Sequence, residues 1–347
     1  MTASAAPDTA ARPSASARRG LAVLRARHSH VPRLVAQRLV QVPLVLLAVS
    51  ILVFWLIEVV PGDPGRNALG QYATSAQVQA WNEAHGLTGS VVERYVSWLA
   101  GFVTGDWGES LIYAAPVRGL ILDRLGSSLL LAALAFVVLV PVAFALGAIQ
   151  GRREGSRTDR SLTVGLLSLA SVPPFVIGVF LLIVFSLILG WFPIQSSISL
   201  DGGIGQVLLA LVLPTVTLAL GYVTVLARMT RTGVIDTLGS QYYRTAVITG
   251  VHGPRLVVGH VARNAVIPTV SLLGVYLGTL VGESAIVETL FGYPGLGALL
   301  VRAAVEKDIF LLESGVMVAG VIALLALLIT DIAFVLIDPR IRFDEGS

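Results

Sequence analysis

Long apolar runs alternate with short polar connections along most of the chain. Six runs stand out: Leu44–Val60, Ser127–Ile149, Leu162–Leu189, Ile204–Ala227, Asn264–Val287 and Glu313–Ile337. A helix needs roughly 20 residues to cross the apolar layer of a bilayer, and each run is near or above that length. Backbone polar groups must be satisfied within lipid, so a crossing is a helix or part of a closed barrel. These runs are continuous rather than alternating, which rules out barrel strands. The pattern predicts an all-α, polytopic inner-membrane protein with six transmembrane helices. Composition agrees: mean hydropathy is +0.83, with 55% hydrophobic and 13% charged residues. So little polar chain could not coat a soluble core of this size.

The runs divide the chain. Residues 1–32, rich in Ala, Ser and Arg, read as a disordered tail. Residues 33–61 hold the first helix. Residues 62–126 form an outer segment, where Trp81, Trp98 and Trp107 suit helices lying at the membrane interface. Residues 127–342 form the core with five more helices, and 343–347 the C-terminal tail. No cleaved leader is read, because Pro61-Gly62-Asp63-Pro64, rather than a small-x-small site, follows the first run.

Charge orients the helices. Of the 24 Lys and Arg, most lie in the N-terminal segment, in the second-to-third and fourth-to-fifth connections, and at the C-terminus. Basic residues mark the cytoplasmic side, so both termini and the loop 228–263 are expected there. The acids Asp63, Glu83, Asp106, Glu109, Glu283, Glu288, Glu306 and Asp308 are placed outside.

Several chemistries are absent. Lys307 is the only lysine, so no Gly-Lys-Ser/Thr phosphate loop exists. There is no cysteine, no G-x-S-x-G turn, and no H-E-x-x-H pattern among His28, His30, His85, His252 and His260. The chain is therefore expected to have no catalytic centre and no metal site. Glu58 and Asp331 are read as the acids of the spans. A proton relay at Asp331 and a structural pairing both fit the sequence. Pro141, Pro173, Pro174 and Pro214 are expected to kink helices that line a pathway, or to be tolerated without a role.

One connection is unusually mixed: Ser240 to Pro268, SQYYRTAVITGVHGPRLVVGHVARNAVIP. Gln241–Thr249 has helical spacing, Gly250 suits a left-handed cap, and Pro254 can open a second helix. The hairpin can dock into a partner's groove or lie on the membrane surface.

This stretch resembles the cytoplasmic signature of binding-protein-dependent ABC importer permeases, E-A-A-x3-G-x9-I-x-L-P. It is closer to the peptide/nickel form, E-Y-V-R-T-A-x3-G followed by R-N-A-x-I-P. Tyr242, Arg244, Thr245, Ala246, Gly250, Arg263, Asn264, Ala265, Ile267 and Pro268 match in register. Five further motifs occur in family order. They are Pro61-Gly62-Asp63-Pro64, Gly105-Asp106-Trp107-Gly108-Glu109-Ser110, and Ser171-Val172-Pro173-Pro174-Phe175 with Phe192-Pro193. Glu288 and Phe291 with Pro294-Gly295-Leu296-Gly297, and Asp338-Pro339-Arg340-Ile341-Arg342, complete them. The chain departs at Gln241, where the family has Glu, at Tyr243, at Leu311 and in its N-terminal extension.

The resemblance implies a permease subunit that imports di- or oligopeptides, with nickel chelates or glutathione as further family substrates. It implies a homologous permease, two ATP-binding cassette ATPases holding ATP and Mg, an extracytoplasmic binding protein, the bilayer, and no nucleic acid. Coupling to the ATPases would fall on Gln241, Tyr243, Arg244, Thr245, Ala246, Gly250, Val251, His252 and Arg255. Pro61, Gly62, Asp63, Pro64, Asn264, Pro268, Pro294, Gly295, Gly297, Asp338, Pro339 and Arg340 would shape the fold. An ion-coupled secondary transporter, which would need charged groups near the membrane centre, is the alternative from a different class.

Overall fold

The computed structural model describes residues 40–59, 62–197, 203–251, 256 and 267–337. Pro61, His252, Arg255, Asn264, Asp338, Pro339 and Arg340 lie outside the described residues, as do the tail 1–32 and residues 343–347. The helices, in chain order, are α1 (Val40–Val59), α2 (Pro64–Leu69), α3 (Ser75–Ala84), α4 (Val91–Thr104), α5 (Val117–Arg152), α6 (Arg157–Ala170) and α7 (Pro174–Leu181). They continue with α8 (Gly203–Gly239), α9 (Gln241–Ile248), α10 (Ile267–Leu290), α11 (Leu296–Glu306) and α12 (Ile309–Ile337). No strand occurs among the described residues beyond an isolated bridge between Glu109 and Pro116.

Four helices, α1, α5, α8 and α12, are long and apolar enough to cross a membrane. The third apolar run does not form one straight crossing. It breaks at Ser171–Pro173 into α6 and α7, bent by 97°, which together could make a fifth. Pro173 and Pro174 explain the break: neither can donate a backbone hydrogen bond, and Pro174 instead opens α7 at its first turn. α7 then widens into π-helix over Leu182–Ile188. Pro141 and Pro214 stay inside α5 and α8. Six crossings are expected; among the described residues four helices qualify, or five if the bent α6–α7 pair counts as one. α10 has 24 residues, enough for about 36 Å of helix, but carries Glu283 and Glu288 in its last third.

α5 and α8 form the spine. Leu131, Ala135, Leu139 and Ala143 of α5 join Leu218, Val223, Leu226 and Ala227 of α8 in the main core, closed by Leu280, Val287 and Phe291. The two backbones come together at Gly147-x3-Gly151. A Cβ at Gly147 would lie 2.4 Å from the Ala227 carbonyl oxygen and 2.5 Å from Thr230 Cβ; one at Gly151 would lie 2.7 Å from Val234 Cβ. Helices in lipid gain association from such close backbone packing rather than from expelling water. Gly147→Ala is expected to force α5 and α8 apart and to cost about 1–3 kcal/mol. Gly119→Ala, whose Cβ meets nothing within 4 Å, should be neutral. Thermal melts of the two variants in the same detergent check this.

α1 stands on the flank, tied by the Ser50 hydroxyl to Tyr95 Oη of α4 at 2.8 Å and by Phe54 packing edge-on to the Tyr95 ring. The bundle therefore has one end carrying the Arg152–Arg157 turn and α9. The opposite end carries α2–α4, the Glu109–Pro116 turn and α11.

Candidate coupling helix and motif clusters

α8 runs twelve residues past the end of its apolar run before it reaches α9. The turn between them is tight. Ser240 caps α9: its hydroxyl oxygen accepts from the Tyr243 N–H (3.2 Å) and donates to the Thr237 carbonyl (2.6 Å). α9 closes on Gly250 at φ 84°. There the Gly250 N–H donates to Val247 O (3.1 Å) and the Val251 N–H to Ala246 O (3.0 Å), the paired bonds of a left-handed helix stop. Ala246 is buried, and Tyr243 packs on Val234, as do Ala148 and Leu238. Gln241, Arg244 and Thr245 are exposed. Ile248 is 84% exposed and Tyr242 49%, so each offers apolar surface at α9.

The half of α8 that leads to α9 is tied to α6 by an ion pair between residues far apart in sequence. Arg231 of α8 grips Asp159 of α6 with two parallel bonds, Nε to Oδ1 and Nη2 to Oδ2, both 2.8 Å. The Gly155 N–H adds a third bond to Asp159 Oδ2 (3.0 Å). Both residues are charged members of basic connections, and nothing in their spacing indicates that they meet.

At the opposite end, three motifs fold into hydrogen-bonded turns. Asp63 caps α2 by accepting from the Arg66 N–H, with Pro64 in the first turn. Asn82 of α3 donates to Asp63 Oδ1 (3.0 Å) and accepts from the Gly65 N–H (3.0 Å). The Asn82 amide holds the Asp63 carboxyl below the usual carboxylate range. Gly62 sits at φ 150° beside Lys307. Asp308 is fully buried and accepts from the Ser110 hydroxyl (2.6 Å), the Ile112 N–H (3.2 Å) and the Leu311 N–H (3.2 Å). It welds the Gly105–Ser110 motif to the start of α12. Leu311, a departure from the family pattern, contributes through an N–H that proline lacks.

Glu288 is likewise buried at 0% exposure. Its carboxylate accepts from the hydroxyls of Ser128 (2.6 Å) and Ser284 (2.8 Å) and from the Ala298 N–H (2.9 Å). It caps α11 from a neighbouring helix. Gly295 leaves the room: a Cβ there would fall 2.2 Å from the Glu288 carboxyl carbon. Gly297 packs on Ala285, where a Cβ would be 2.4 Å from its Cα. The Tyr293 hydroxyl donates to Ser127 O at 2.7 Å, and burial, with Glu288 nearby, pushes its pKa up to about 12. Pro294 and Gly295 join Arg302 along an open cleft at this end. Pro268 lies in the first turn of α10.

Glu283, expected on the outer side, lies in the last third of α10 and accepts the Tyr222 hydroxyl.

Taken together, the described residues form an apolar helical bundle with a short cap-defined helix at one end and buried-acid motif clusters at the other. Comparison with known proteins places this arrangement. Residues 140–343 match the family described as binding-protein-dependent transport system inner membrane component, and residues 31–132 match the N-terminal region of such membrane components. The chain belongs to this family of ABC importer permeases, on the peptide-transport branch. It is 33% identical over 310 residues to a probable peptide ABC transporter permease protein, y4tP, of Sinorhizobium fredii, covering 89% of this chain and 99% of that one. It is 30% identical over 313 residues to the oligopeptide transport system permease protein AppB of Bacillus subtilis, with the same coverage. A putative peptide transport system permease of Brucella abortus is 33% identical over 316 residues, covering 90% and 99%.

Proposed function

We propose that the chain is one of two homologous permeases of an ATP-driven, binding-protein-dependent peptide importer in a bacterial inner membrane. It crosses six times with both termini in the cytoplasm. α9 docks into an ATPase subunit, while the α2–α4 end receives the loaded binding protein. ATP and Mg act on the ATPases; this chain performs no hydrolysis. The observation that carries the reading is α9 itself: a capped helix joined by a one-residue turn to a spanning helix, with Ile248 and Tyr242 exposed. Exposed apolar side chains on a rigid helix suit a partner's groove.

The energetics require a stiff link. ATP-driven closure of the ATPases moves α9, and α8 transmits that motion because Ser240 leaves little slack and Arg231–Asp159 ties α6 to it. The bundle then exchanges inward- and outward-open states, biased only by what the ATPases and binding protein contact.

Co-purification tests this. The tagged chain should bring a second permease and two ATPases. Ile248→Asp should weaken ATPase retention about 30-fold, the effect of roughly 2 kcal/mol at an interface hot spot, without lowering the melting temperature of the isolated chain. Gly250→Trp should also release the ATPases, but it imposes backbone strain at φ 84°, so Ile248 is the cleaner probe. Full ATPase retention by Ile248→Asp would remove α9 as the docking element.

A further inference from the structure

Glu283 lies seven residues before the Leu290 end of α10 and is exposed in this chain. Tyr222, which donates to it, sits at the middle of the 37-residue α8 and is buried. The Tyr276 ring lies 4.7 Å from that of Tyr222. Pro174 and Phe175, at the α6–α7 bend, face the same carboxylate across a cavity of about 110 Å³. Along α10 the exposure continues through Val275, Gly282 and Ile286.

A carboxylate on an apolar helix of a membrane bundle is costly against lipid and is found facing a water-filled cavity or another polar group. We infer that Glu283, held in place by Tyr222, is a cation-recognition point on the translocation path that takes the free α-ammonium group of a peptide. One carboxylate oxygen is fixed by the phenol, which leaves the second to accept from the ligand. The neighbouring aromatic faces favour an organic cation. A single carboxylate supplies few of the six to eight oxygens that a dedicated Ca²⁺ site takes. Every peptide with a free N-terminus carries the group recognised, whatever its side chains. The inference rests on the peptide-import reading above.

The test uses the complete importer in liposomes with its binding protein. The chain has no cysteine, so Glu283→Cys introduces a single thiol into this subunit. A charged, water-soluble thiol reagent should modify it, and a tripeptide with a free N-terminus should slow the modification. Glu283→Gln should keep the full complement of subunits and its basal ATPase activity, yet take up that tripeptide about tenfold more slowly. Glu283→Asp should recover part of the rate. A thiol that is never modified would overturn the inference, as would wild-type uptake by Glu283→Gln. Loss of the partner permease in Glu283→Gln would also overturn it, reassigning the carboxylate to an inter-subunit ion pair. If the wild-type complex takes up no peptide at all, the peptide reading fails first and the inference falls with it.

Discussion

Gly295→Ala is expected to be among the most destabilising single-methyl changes in the chain. The backbone at Gly295 is extended, with φ −100° and ψ 175°, so alanine meets no conformational penalty there. The cost comes from contact. The new Cβ would lie 2.2 Å from the Glu288 carboxyl carbon and 2.3–2.4 Å from its two oxygens. That carboxylate cannot retreat without leaving Ser128, Ser284 and the Ala298 N–H. Overpacking costs about 1–3 kcal/mol, and each lost bond to a charged group about 1.5–3 kcal/mol. A loss of about 2.5–6 kcal/mol follows if one bond breaks, a large part of a typical domain's stability of about 5–15 kcal/mol. Glu288→Ala alone should also destabilise, since it strands two hydroxyls and a helix N–H. The double variant should be more stable than the sum of the two singles, because removing the carboxylate makes room for the methyl. Additive effects in thermal melts would show that Gly295 and Glu288 do not share the space described.

The second large effect is expected at Asp159. Asp159→Ala removes three bonds and leaves Arg231 facing a largely buried site. Arg231 retains 29% side-chain exposure, so solvent offsets part of the loss, and about 2–3 kcal/mol is expected rather than the full cost of an orphaned buried charge. The functional loss should be larger than the loss of stability suggests. With α6 released from α8, motion at α9 would no longer reach the α6–α7 bend. Peptide uptake per ATP hydrolysed should drop about tenfold, within the usual range of coupling energies, while ATPase retention stays unchanged. The exchanged pair, Asp159→Arg with Arg231→Asp, should recover part of the coupling. If Asp159→Ala transports at the wild-type ratio of peptide to ATP, the clamp is a structural fixture only.

The two sites differ in how far the sequence announced them. Glu288, Pro294, Gly295 and Gly297 stand in one recognisable motif because their chemistry is local: a helix end, a turn and the next helix start within ten residues. Asp159 and Arg231 are 72 positions apart. Each reads as one more charge in a polar connection, and their bidentate geometry exists only once α6 folds back along α8. The contact of Glu283 with Tyr222 is a related case: hydropathy averages over a window and positive charge sets orientation, but neither resolves which face of a helix an acid occupies.

What the sequence by itself determined is the helical membrane class, the family and the helix stop at Gly250. Continuous apolar runs leave lipid-satisfying helices as the workable backbone. Ser240, Gly250, Asp63 and Pro64 act on their immediate neighbours. Tertiary structure alone decided that the third run bends by 97° at Pro173–Pro174, that Gly147 and Gly151 bring α5 and α8 into contact, and that Asp159, Glu283 and Asp308 each find donors on distant segments. These are questions of which surfaces meet. Apolar patterning says that a helix face must be covered, and only the packed bundle says by what.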